Sequence, residues 1–164
     1  MNQWFRVCAL VTGLLCTPVI AEEFNLDGFK IGKLHTGMLS AEAVGLPGCV
    51  FTKGKLLSSE ADGAWHQAWS AKGCGLTLSF SAQDKKSPLR LSDMEIIAPS
   101  QLKTERGVGI GSTEAQVRTQ YIGQINTEES VAQKTLVLGS MYGGVIFELN
   151  KGSVQRIFVG ASAE

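Results

Sequence analysis

Residues 104–123, TERGVGIGSTEAQVRTQYIG, constrain the fold more than any other part of the chain, because turn, cap, helix and stop signals agree there. Val108 and Ile110 alternate with Gly109 and Gly111, which suits a short strand end where two backbones approach closely. Thr113 and Gln116 have the spacing of a capping box, in which each side chain satisfies the other residue's orphan backbone donor. Glu114 falls in the first turn, where the helix dipole favours negative charge. Val117 and Tyr121 are four apart and share one face, and Gly123 is a natural stop. A helix this short is unstable alone in water, so Val117 and Tyr121 must dock on a sheet. The glycines lack the third glycine of a dinucleotide fingerprint, and no G-K-[ST] follows them. They are read as a tight turn feeding a helix.

The rest of the chain supplies the sheet. Residues 64–70 alternate, with Trp65 and Trp69 on one face and His66 and Ala68 on the other. Residues 74–81 also alternate, which sends Cys74, Leu76, Leu78 and Phe80 to the core. Further strands are expected at 29–31, 49–52, 89–98 (bulged near Asp93) and 135–138. Residues 145–149 and 154–159 form a hairpin around Asn150, Lys151 and Gly152. Upstream, GMLSAEAV at 37–44 echoes GIGSTEAQV at 109–117. The echo suggests two weakly similar halves, 22–98 and 99–164, within a single domain over 22–164. The expected class is α+β: a mainly antiparallel sheet with one or two short helices docked on it.

The string IGSTEAQV, residues 110–117, resembles the strand–turn–helix signature of small bacterial envelope proteins of the BamE and β-lactamase-inhibitor-protein type. Over the sixteen or so residues it covers, the resemblance implies a sheet with helices on one face. It also implies a binding or assembly role without catalysis.

Residues 1–21 read as a cleaved secretory signal: a basic start at Arg6, an apolar run over 7–15, and Ala21 at the cleavage point. Export to the periplasm or the medium is therefore expected, with no membrane span in the mature chain. Cys8 and Cys16 would leave with the signal, and Cys49 and Cys74 would remain to pair as a structural disulfide. Fifteen basic residues balance fifteen acidic ones, so the chain carries no footprint for nucleic acid.

Catalytic chemistry finds little support. The chain has two histidines, His35 and His66, and no H-E-x-x-H or G-x-S-x-G. Glu60/Asp62 and Glu128/Glu129 read as solvated charge in loops. No cofactor, metal site or catalytic residue is expected, and the protein is not expected to be an enzyme. Binding features stand out more. Residues 139–144 join two strands through an uncharged tip, and Ser140, Met141 and Tyr142 are candidates to enter a partner's cleft. An exposed Trp65/Trp69 face would be a second binding surface, whereas a buried one would be core. The expected function is an exported inhibitor or immunity protein that occludes a secreted or wall-acting enzyme. The alternatives are an envelope assembly factor that binds outer-membrane proteins, and a binder of small ligands or wall fragments.

Overall fold

The computed structural model describes residues 24–161. The expected signal at 1–21 lies outside the described residues. The described residues form an eight-stranded sheet in which every pairing is antiparallel. In chain order its strands are β1 (Thr52–Lys53), β2 (Leu57–Ser58), β3 (Trp65–Ala71), β4 (Leu76–Ala82), β5 (Arg90–Ile97), β6 (Thr135–Ser140), β7 (Gly143–Asn150) and β8 (Ser153–Gly160). Across the sheet the order is β1-β3-β4-β5-β8-β7-β6, with β2 also on β3. Two helices accompany it, the four-residue α1 (Ser40–Ala43) and the seven-residue α2 (Glu114–Gln120). Helix content is small, so the fold is mainly antiparallel β.

Alternation builds the core as cross-strand rows. Trp69, Leu78, Met94, Val159, Val145 and Leu138 are register partners running straight across six strands, and all are buried. Val117 of α2, Tyr121 at its C-terminal cap and Ala43 of α1 join the same apolar cluster. The Thr113–Gln116 capping box forms as its spacing predicts, with Gln116 N donating to Thr113 Oγ1 and Thr113 N to Gln116 Oε1. The Cys49–Cys74 disulfide ties the segment before β1 to a 3₁₀ turn at Lys72–Cys74.

Each helix leads into a three-strand meander, and each helix start is pinned to its own meander by the same bonds. Gly37 N donates to Leu91 O, Leu91 N to Met38 O, and Ser40 N to Leu89 O. In the second half Gly111 N donates to Val154 O, Val154 N to Ser112 O, and Glu114 N to Gly152 O. Gly37 and Gly111 both hold a left-handed φ, 80° and 84°, which explains a glycine at each position. Both third strands are also bulged in the same place. Phe80 pairs with Leu91 and Ser79 with Asp93, leaving Ser92 extra. Leu149 pairs with Val154 and Glu148 with Arg156, leaving Gln155 extra. The two third strands, β5 and β8, then pair with each other.

Three expectations need correction. The strand expected at 29–31 forms only isolated bridges at Ile31, to Leu34 and Thr104. The strand expected at 49–52 shrinks to β1, because Cys49 is drawn into the disulfide. The loop expected at 139–144 is shorter than its glycines suggest. β6 runs to Ser140 and β7 starts at Gly143, so only Met141 and Tyr142 remain at the turn.

Candidate functional site

The β6–β7 hairpin keeps its tip in a fixed conformation. The Asn126 carboxamide donates to Gly139 O at 2.8 Å, and Met141 N donates to the Glu129 carboxylate at 2.6 Å. Tyr142 N donates to Ser140 Oγ at 3.2 Å. Of the three residues singled out from sequence, Ser140 and Met141 are half-buried, and Tyr142 is 76% exposed. Its ring therefore does not pack down on the sheet. A large aromatic presented on a pinned two-residue turn loses little entropy when a partner covers it.

The tryptophan face divides. Trp69 is 2% exposed, tilted against Phe51 and Phe80, with the Lys53 ammonium 4.0 Å from its ring centre. Its indole N–H donates to Gln67 Oε1. Trp69 is thus core and not part of an exposed patch, because it faces the cluster that Leu78 and Phe80 form. Trp65, at the strand's start, is half-buried beneath Lys85.

An open groove of about 440 Å3 lies beside the hairpin. Tyr142 and Gly143 form one wall, and Asp62 and His66 form another. The bulged part of β5 and the end of β8 bring in Asp93 and Gly160, and the N-terminal loop brings in Asp27. His66 Nε2 lies 2.8 Å from Asp62 Oδ2. Asp62 is held below the usual carboxylate range, chiefly by the backbone N–H of Ala64 and further by Ser59 and His66. Asp93 Oδ1 accepts from Ala161 N and lies against Gly160, where an added Cβ would come within 2.1 Å of it. Among the described residues no lysine or arginine lines the groove.

The sequence did not point to this pairing. Asp62 reads as loop charge and His66 as a lone strand residue, and only the turn between β2 and β3 closes the distance. A carboxylate four residues before a strand histidine was the available signal. Ser81 is the register partner of His66, so a serine, a histidine and a carboxylate share one face. No hydrogen bond joins Ser81 to the imidazole among the described residues, and His66 and Asp62 are each about half exposed to water. A nucleophile activated by a shielded base needs a closer and drier arrangement. His35, the other histidine, lies within 2.9 Å of Thr36 O and faces no carboxylate partner among the described residues.

The described residues contain no cluster of three or more His, Cys, Asp or Glu able to hold a metal ion. They also contain no helix long and apolar enough to cross a membrane. Comparison with protein families, with curated proteins and with solved structures gives no match to this chain.

Proposed function

We propose that this chain is an exported, non-catalytic protein-binding module, an inhibitor or immunity protein that occludes a secreted or wall-acting enzyme. The exposure of Tyr142 on a pinned hairpin carries the proposal. Tyrosine is enriched at the energetic centres of interfaces, where truncating such a residue costs about 2 kcal/mol or more. The ring would enter the target's cleft while the sheet behind it stays rigid. The BamE-like and inhibitor-like resemblance of residues 110–117 supports a binding role. The disulfide is compatible with an oxidising compartment.

Affinity capture tests this directly. The tagged, oxidised chain should retain one stoichiometric enzyme at physiological salt, and the Met141→Ala/Tyr142→Ala variant should lose it. An unchanged partner in that variant would remove the hairpin from the interface. Capture of outer-membrane proteins in place of an enzyme would move the role to envelope assembly.

A further inference from the structure

The first turn of each meander is tied to the segment that follows its own helix. In the second half Asn126 and Glu129 hold the β6–β7 turn, through Gly139 O and Met141 N. In the first half the matching β3–β4 turn contains Cys74, and its disulfide runs to Cys49 in the segment after α1. The strand registers put these two turns at opposite ends of the sheet. Tyr142 stands at one end, and a disulfide-stapled apolar loop stands at the other.

That loop is VGLPGCV, residues 44–50. Leu46 is buried and anchors it, Cys49 N donates to Leu46 O, and Gly48 O lies 3.5 Å from Cys74 Sγ. Around these anchors Val44, Pro47 and Val50 face solvent. Val50, at 88%, is the most exposed large hydrophobic among the described residues, and Val44 is 55% exposed. Apolar side chains gathered in one exposed place mark an interaction surface. Lysines flank them. Lys72 belongs to the same 3₁₀ turn as Cys74, and Lys53 and Lys55 follow along the edge of β3. Segments 43–59 and 63–83 contain these three lysines and no aspartate or glutamate. Glu60, Asp62 and Asp84, which bound those segments, lie at the far ends of β3 and β4. Glu42 Oε2 accepts from Leu39 N at the start of α1, and Glu95 on the neighbouring β5 is bonded to Arg156.

We infer that this end of the molecule docks on an anionic lipid bilayer. Val44, Pro47 and Val50 enter the headgroup boundary, and Lys53, Lys55 and Lys72 lie against the lipid phosphates. Charge complementarity decides the occupant: a carboxylate-free stretch with three lysines matches an anionic surface. Shape agrees with it. The apolar groups project from a loop, as insertion into a fluid apolar layer requires, and long lysine stems reach back from that layer to its charged rim. Apolar insertion and basic contact are each weak alone, and reversible anchoring needs both. The attachment is peripheral, since no helix among the described residues is long and apolar enough to cross a membrane. Docking by this end turns the β6–β7 hairpin away from the bilayer. The inference goes beyond the protein-binding reading and stands without it.

The test is co-sedimentation of the oxidised chain over 22–164 with large unilamellar vesicles. One set is phosphatidylcholine with about 30% phosphatidylglycerol, and the control is phosphatidylcholine alone. Binding should saturate on the mixed vesicles and be weaker by about fivefold or more on the neutral ones. Raising the salt from about 50 to about 300 mM should weaken it about fivefold. Val50→Asp should weaken it about tenfold, and Lys72→Gln by about threefold to fivefold. Tyr142→Ala should leave it unchanged. If Val50→Asp does not fold, Val50→Trp reads the same contact: its emission should shift to the blue with the mixed vesicles and stay fixed with the neutral ones. Vesicles left unbound, bound equally in both compositions, or bound by Val50→Asp and Lys72→Gln as by the parent chain would overturn the inference. So would a photocrosslink from position 50 to a protein in producing cells, which would give the surface to a protein partner.

Discussion

The two halves of the sheet share a backbone plan and use it differently. Each begins with a glycine-led turn, a short helix bonded to the third strand of its own meander, and a bulge in that strand. The first half then adds a disulfide, two short edge strands and a turn at 59–64 that brings Asp62 to His66. The second half adds the longer, capped helix, two tight hairpins and an internally neutralised arginine. Conserving the bonds that fix the backbone leaves side chains at equivalent points free to diverge. At one such point the second half carries Arg156, paired with Glu95 and Glu148, and the first half carries Asp93, which accepts from Ala161 N. We propose that the two halves derive from one duplicated unit, as the echo between 37–44 and 109–117 suggests.

The largest expected effect separates the halves by covalent chemistry. The disulfide closes a separation of 25 residues in the first half, and chain entropy assigns it about 3 kcal/mol. Cys49→Ala/Cys74→Ala should lower stability by about that amount in denaturant titration. Hydrogen exchange should rise first in β1 and β3 and leave β6–β7 protected. Equal loosening of both halves would show that they do not respond as separable units.

Next comes the packing of each helix. Val117 is fully buried, and the matched bonding patterns place Ala43, also fully buried, at the corresponding point of α1. Val117→Ala should cost about 2 kcal/mol through lost methyls and a residual cavity. Ala43→Val should cost about 1 to 2 kcal/mol for the opposite reason, overpacking. If Ala43→Val stabilised the chain, the first half would hold space for a larger residue, and the two helices would be less differently packed than they look.

Caps differ as well. Thr113 supplies a side-chain acceptor at the α2 N-terminus, while Leu39 at α1 supplies none. Thr113→Ala should cost about 1 kcal/mol in thermal unfolding, and Thr113→Ser should restore most of it.

The smallest effect appears at high pH. Burial pushes the Tyr121 phenol above its ordinary value near 10, opposed by a bond from Thr104 and the charge of Arg106. A raised folded pKa contributes stability that is complete below the unfolded pKa and lost as pH rises through the folded one. Stability should therefore fall above about pH 10, and Tyr121→Phe should flatten that decline in pH-dependent unfolding. An unchanged alkaline profile would place the sensitivity in another group.

Local chemistry was legible in the sequence where one residue's neighbours decide its conformation. The Thr113–Gln116 box, the alternation of Leu76, Leu78 and Phe80, the bulge near Asp93 and the turn at Lys151-Gly152 all depend on residues close in the chain. The cysteine pair followed from redox logic and a small count. What needs the assembled sheet was not legible. Trp69 and Tyr142 are both large aromatics on strands or turns, yet one is core and the other exposed, because Phe51, Phe80 and Lys53 pack on the first ring and nothing among the described residues covers the second. The groove gathers residues from 26 to 161, and its lack of lysine and arginine among the described residues emerges only when the strands are laid side by side. The hairpin tip was located, and its length was not, because Gly139 and Gly144 pair across strands instead of lying in the loop.

The most direct measurement is site-specific photocrosslinking in producing cells. A benzoylphenylalanine would replace Tyr142 at the β6–β7 turn, or Lys151 at the β7–β8 turn at the opposite end of β7. We expect one discrete protein adduct from position 142 and none from position 151. An adduct at 151 alone, or none at 142, would contradict a partner-facing role for the hairpin.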